Sequence, residues 1–156
     1  MDKKYNNLIA ASEIASKSDA TIKHGAIIMC GNKIISYGCN KNEANRKRLF
    51  NIYGPCKRGL TMHAESDAIC NLLANIRFGT NNSNIKRMKL DIYVAKDNMS
   101  NSKPCMHCIK ILKYFGIYRV FYTTNENIYN RGWKCEKVSQ IENSRISNGN
   151  KVLMAY

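Results

Sequence analysis

His63 and Glu65 stand two residues apart in Thr61-Met62-His63-Ala64-Glu65-Ser66-Asp67-Ala68-Ile69, and Cys105 and Cys108 stand three apart in Lys103-Pro104-Cys105-Met106-His107-Cys108-Ile109. Neither stretch says much alone. Together they offer one imidazole, two thiolates and a carboxylate to spare. That is the donor set of a catalytic zinc site, with three protein ligands and a fourth position left for water. A Zn2+ ion so held brings the pKa of that water to roughly 7. Glu65, close by without ligating, is then placed to accept a proton and pass it on. A structural zinc ribbon would want a second Cys-x-x-Cys, which the chain lacks. A thioredoxin-like redox pair would leave His63 and Glu65 unexplained.

The spacing also says which elements must carry these groups. Ser66 to Leu73 reads as an amphipathic helix with Ala68, Ile69, Leu72 and Leu73 on its apolar side, so His63 falls at its start. In the second stretch Pro104 suits a first helical position, and Cys105 and Cys108 at i and i+3 share a face. Ile109, Ile111, Leu112 and Phe115 give that helix a buried side, and Gly116 stops it. His107 falls away from the cysteine pair and is not expected to ligate. Two helix starts would thus converge on the metal, and their positive dipole ends favour thiolate over thiol.

The rest of the chain supplies a scaffold. Tyr5 to Lys17 has a helical rhythm, with Tyr5, Leu8, Ile9, Ser12, Ile14 and Ala15 on the apolar or small positions, and Ser18-Asp19 ends it. Gly25–Cys30 and Lys33–Gly38 read as strands joined by Gly31-Asn32, a strong hairpin signal. Leu90–Ala95 and Arg119–Thr124 read as further strands on either side of the cysteine helix, with residues 77–89 as a linker before them. A strand–helix–strand order of this length implies a parallel crossover. The expected fold is therefore α/β, a three-layer α/β/α arrangement with a central mixed β-sheet. Beyond Thr124, Tyr129 and Trp133 are expected at the edge of the site, Val138 to Arg145 as a short helix, and Lys151 to Tyr156 as a last strand or an interface.

With 156 residues the chain is expected to be a single domain, 1–156. Its 44% hydrophobic and 23% charged residues are ordinary for a globular protein. It has no apolar run near the roughly 18 residues that would span a bilayer, and Met1-Asp2-Lys3-Lys4-Tyr5 opens no signal peptide. Seven cysteines without dense, paired spacing agree with a reducing compartment, so a cytoplasmic location is expected. The net charge of +14 would attract any polyanion, whether a nucleotide, a nucleic acid or an acidic membrane surface, and does not choose among them. A general bias toward Lys, Asn and Ile also explains part of it. Residues 43–61 form a long aperiodic segment with Arg46, Lys47, Arg48, Lys57 and Arg58 among Phe50 and Tyr53. Such a segment could clamp a phosphate and stack on a base.

His63-Ala64-Glu65 followed by Pro104-Cys105-Met106-His107-Cys108 resembles the His-x-Glu and Pro-Cys-x-x-Cys signature of zinc-dependent nucleobase deaminases. The chain is identified on these motifs as similar to the cytidine and deoxycytidylate deaminase superfamily, from roughly the first helix to Tyr122. The resemblance implies a cytidine deaminase-like fold, a zinc cofactor held by His63, Cys105 and Cys108, and Glu65 as the catalytic proton carrier. It further implies that the Ala64 N–H meets the pyrimidine carbonyl, that Asn40 meets the sugar, and that the protein is a homo-oligomer. His24 stands where the superfamily usually has an apolar residue near the base.

Within the superfamily, free-nucleoside deaminases usually carry cysteine at the position of His63, and polynucleotide cytosine deaminases a Ser-Trp pair where this chain has Ser102-Lys103. The run to Ala68-Ile69 and Gly116-Ile117-Tyr118-Arg119-Val120-Phe121-Tyr122 look more like deoxycytidylate deaminases. The activity so implied is hydrolytic deamination of the cytosine of a nucleotide such as dCMP. One alternative is deamination of adenosine or cytosine in tRNA or single-stranded nucleic acid. The other is a non-catalytic, zinc-stabilised nucleic-acid-binding module, against which a retained Glu65 argues.

Overall fold

The computed structural model describes residues 2–42, 61–75, 82–126 and 132–142. The basic segment 43–60, Tyr129 and the chain after residue 142 lie outside the described residues. Five strands form one mixed sheet in the order β2-β1-β3-β4-β5: β1 (His24–Cys30), β2 (Lys33–Cys39), β3 (Asp91–Lys96), β4 (Arg119–Thr123) and β5 (Trp133–Lys137). All neighbours run antiparallel except β3 and β4, which are parallel. Helix α1 (Lys3–Ala15) covers one face. Helices α2 (Ala64–Asn75), α3 (Asn82–Arg87) and α4 (Met106–Tyr114) cover the other. This is the three-layer α/β/α fold that the strand–helix pattern implied.

The central strands are apolar on both faces because both faces are covered. Along β1, Ala26 and Ile28 meet α2 and α4, while Ile27 and Met29 meet α1; β3 and β4 divide the same way, Ile92, Val94 and Val120 against Tyr93, Ala95 and Phe121. Tyr93 and Phe121 stack, with ring centroids 4.3 Å apart. The start of the parallel pair is tied by Arg119, which donates twice to its register partner Asp91, at 2.9 and 2.7 Å.

Glycines set how closely the helices approach. A Cβ on Gly25 would lie 2.0 Å from the Ala11 carbonyl oxygen of α1, and one on Gly38 would lie 2.3 Å from the Ala68 nitrogen of α2. The β1–β2 hairpin turns through Gly31-Asn32, with Gly31 at φ +59° and Cys30 paired to Lys33. A bulge leaves Ile35 without a register partner and packs it against the core under α2. Helix α1 is capped by Asp2, whose carboxylate accepts from the Lys4 N–H at 3.0 Å. Helix α4 ends at Gly116 (φ +72°), where the Ile117 N–H reaches the Leu112 carbonyl and the Gly116 N–H that of Lys113. That double return is the Schellman arrangement.

Three sequence expectations change. Residues 77–89 are not all linker, because α3 buries Ile85 completely against the core. Trp133 does not edge the catalytic stretch: it opens β5 and packs on Phe121 beneath α1, at 5.9 Å between centroids. Val138 starts a single 3-10 turn, Val138–Gln140, rather than a longer helix, and is buried against the α4 side. Among the described residues no helix is long and apolar enough to cross a membrane.

Candidate active site

The site is assembled at the starts of α2 and α4. His63 immediately precedes α2, and its carbonyl accepts from the Asp67 N–H at 3.0 Å. Met62 exchanges two backbone hydrogen bonds with Lys41, at 2.9 and 3.0 Å, which pins this helix start to the end of β2. Asp67, buried in the first turn, reinforces the same joint: its carboxylate accepts from the Cys39 N–H and from the Lys41 ammonium, each at 3.1 Å. The Ser36 hydroxyl donates to the Ala68 carbonyl at 2.7 Å and closes the contact.

The second half is held as firmly. The Ser102 hydroxyl donates to the Val94 carbonyl at 2.7 Å, accepts from the Thr123 N–H at 2.9 Å, and lies 2.7 Å from the Thr123 hydroxyl. It therefore bridges the far ends of the parallel strands β3 and β4, the end of an α/β sheet where ligands collect. Pro104 lies before the helix, not at its first position, and Cys105 is the capping residue, with φ −73° and ψ 165°. The offset arises because Pro104 follows the Ser102 anchor, and the chain turns helical only after Cys105 gives its carbonyl to the Ile109 N–H. Cys108 then sits three residues into α4, on the side of its cap.

These two starts bring the three expected ligands together. The His63 Nδ1 lies 3.2 Å from the Cys108 Sγ and 3.5 Å from the Cys105 Sγ, and the three donor atoms all fall within 4.8 Å of one another. Tetrahedral zinc with N and S bonds of ordinary length spaces its nitrogen and sulfur donors about 3.5 Å apart. The donors therefore fit Zn2+ in type, number and spacing. Between the side chains themselves, the hydrogen bond joining the two cysteines drives their proton affinities apart. The hydrogen bond from Cys108 brings Cys105 down to about 3 against the effect of its burial, with His63 helping, while Cys108 is pushed well above the usual thiol range. A dication at this point favours thiolate at both.

Glu65 is the fourth group. It sits in the first turn of α2, only 5% exposed, and burial pushes its carboxyl up, with nearby His63 drawing it back. It lines a cavity of about 350 Å³ together with His63, Ala64 and Cys105. Ala64 is the first residue of α2, so its N–H has no carbonyl one turn back within the helix. Asn40 also lines the cavity, but much of its amide is engaged: its oxygen accepts from the His24 N–H at 2.8 Å and its nitrogen donates to the Ile22 carbonyl at 2.7 Å. One amide hydrogen is left over from these two bonds. His107 is half-buried on α4 and is not among the clustered donors. Asp67 and Ser102, which position the two starts, went unnoticed in the sequence. A carboxylate in the turn after His63 and a serine just ahead of Pro-Cys were the available signals.

The family model describing the cytidine and deoxycytidylate deaminase zinc-binding region matches residues 2–124. The chain belongs to this deaminase family. Its fold is shared with a cytidine deaminase from Burkholderia pseudomallei, at 18% identity over 94% of this chain and 100% of that one, with a TM-score of 0.62. A cytidine deaminase from Mycobacterium leprae is similar at 18% identity over 90% of this chain and 97% of that one, TM-score 0.57. The apo dCMP deaminase of the cyanophage S-TIM5 is similar at 17% identity over 83% of this chain and 91% of that one, TM-score 0.54. No curated protein sequence matches. At these identities the likeness is one of fold, and the deaminase family's zinc-binding region corresponds here to His63, Cys105 and Cys108.

Proposed function

We propose that this member of the deaminase family hydrolyses the exocyclic amine from the cytosine of a nucleotide such as dCMP, releasing ammonia and leaving uracil. The observation that carries the reading is a buried carboxyl, Glu65, in the same cavity as His63 and Cys105, two of the three clustered zinc donors, and outside that cluster. A purely structural zinc site has no use for such a group. When bound by His63, Cys105 and Cys108, zinc supplies a water acidified to a pKa of roughly 7 in its open position. Glu65 would take one proton from that water and give it to ring N3, then take the proton of the hydroxyl added at C4 and give it to the departing amine as the C4 carbonyl forms. The Ala64 N–H is assigned to the pyrimidine carbonyl. The Asn40 amide, steadied by its bonds to residues 22 and 24, is assigned to the sugar.

The test is ammonia release from zinc-loaded protein across dCMP, CMP, dCTP, cytidine, adenosine-bearing tRNA and single-stranded DNA, with Glu65→Ala as control. Turnover of a monophosphate that disappears in the control supports the reading. Turnover only on a polymer, or substantial activity remaining in Glu65→Ala, overturns it.

A further inference from the structure

Besides His63 and Lys41, three basic side chains share the cavity with Glu65: His24, Lys96 and Lys103. They come from separate elements. His24 opens β1 and Lys96 closes β3, and the antiparallel register sets them opposite each other. Facing residues of an antiparallel pair project to one side of the sheet. Lys103 arrives on the short segment between Ser102, clamped to β3 and β4, and the capping Cys105. All three are half-exposed, so each can be reached from solvent without opening the core. Lys103 has a long ion pair, 3.8 Å to Glu136, and lies over the Tyr122 ring at 6.0 Å from its centroid. Lys41 is also on the cavity wall, where buried Asp67 holds it at 3.1 Å. Among the described residues lining the cavity, Glu65 is the only carboxylate.

Resting on the deaminase reading above, we propose that His24, Lys96 and Lys103 form the seat for the 5′-phosphomonoester of the substrate nucleotide and make the site prefer a mononucleotide to its free nucleoside. A phosphomonoester carries a charge of about −1.5 to −2 at pH 7 and three strong acceptor oxygens. Two ammonium groups and an imidazole meet it as separate point donors, one from each element. A phosphodiester has one charge and fewer free oxygens to offer. The cavity, about 350 Å³, lies at the small end of ligand sites and suits one nucleotide. These residues are other than the Arg and Lys residues of segment 43–60 that the sequence offered for this role, which lie outside the described residues.

The experiment is calorimetric titration of zinc-loaded protein with dUMP, deoxyuridine and the dinucleotide of uracil, the zinc content of every variant being measured first. The wild type should bind dUMP at least about a hundredfold more tightly than deoxyuridine. That ratio should fall about tenfold in Lys96→Gln and again in Lys103→Gln, the scale of one lost charge-assisted contact. Lys96→Arg and Lys103→Arg should largely keep it. Lys110→Gln, an exposed change on α4, should leave it at the wild-type value. Equal affinity for dUMP and deoxyuridine would overturn the proposal. So would a ratio untouched by both glutamine variants, one lowered as much by Lys110→Gln, or tighter binding of the dinucleotide. Ammonia release, measured separately, distinguishes the two failures. Silence on every cytosine substrate with the dUMP ratio intact and sensitive to these lysines would sink the deaminase reading and leave the phosphate seat standing.

Discussion

On one face of the sheet α1 meets β1 across Gly25, and on the other α2 meets β2 across Gly38. In both places a single methyl would collide with main-chain atoms. The contacts beyond the glycines differ in kind. Under α1 the packing is apolar, with Leu8 and Ala11 against Ile27, Met29, Tyr93 and Phe121. Under the first turn of α2, Glu65, Ser66 and Asp67 are all buried. An apolar contact needs only shape, whereas buried polar groups need partners. Asp67 has the Cys39 N–H and Lys41, and the three donors at the helix starts are grouped as a metal would need them. The candidate site lies on the face where burial is polar, and the other face packs by shape.

The largest effect expected on this contrast is on turnover. Glu65→Ala should lower kcat by about 10² to 10⁴-fold while zinc content stays unchanged, measured by ammonia release and metal analysis; loss of the metal would return Glu65 to the ligand set. Next, Cys105→Ser or chelation should remove zinc and destabilise one face by several kcal/mol, a fraction of the roughly 10–16 kcal/mol known for small structural zinc domains. Hydrogen exchange should quicken at the starts of α2 and α4 and stay slow in α1 and β1. Uniform quickening would erase the distinction between the faces. Gly25→Ala and Gly38→Ala should each cost about 3 kcal/mol in denaturant unfolding, the upper end for overpacking. Only Gly38→Ala should also weaken zinc binding, because it shifts the helix that begins at His63. The smallest effect concerns alkaline pH. Burial, and then the 2.5 Å hydrogen bond to Glu136, raise the Tyr122 hydroxyl above its ordinary value. A raised group contributes its stability fully below the unfolded tyrosine value of about 10, and the contribution is lost as pH rises beyond it. Tyr122→Phe should flatten that alkaline limb of a thermal-melting series.

The ligand triad and Glu65 were legible because their chemistry demands particular residue types at short, fixed spacings. His63 and Glu65 are two apart, and Cys105 and Cys108 share one turn. The hairpin was legible for the same local reason, since Gly31-Asn32 answers to the geometry of its turn. Pro104 misled by one element boundary. Its preference for a helix start is a tendency of the isolated turn, and here the anchor at Ser102 sets where the chain can begin to coil. Trp133 misled because nothing local says which side of a strand faces which layer; the register with Thr123 decides that. The segment holding α3 looked like linker since its polar composition hides one deeply buried residue, Ile85. His24 and Lys96 lie 72 positions apart in the chain, and only the pairing of β1 with β3 sets them side by side.

The separation of the ligands along the chain has a consequence for how the molecule is made. His63 and Cys108 are 45 residues apart, and β3 lies between them. A growing chain offers zinc only His63 of the three ligands until Cys105 and Cys108 emerge, so assembly of the site waits for the 45 residues between His63 and Cys108. By then β1, β2, α2 and β3 are already present, and β4, whose Thr123 clamps Ser102, comes after. Zinc thus closes a loop around a sheet already begun and helps to retain it while the parallel partner arrives. In a nascent chain, the timing of metal uptake would mark the moment when the two halves of the protein first meet.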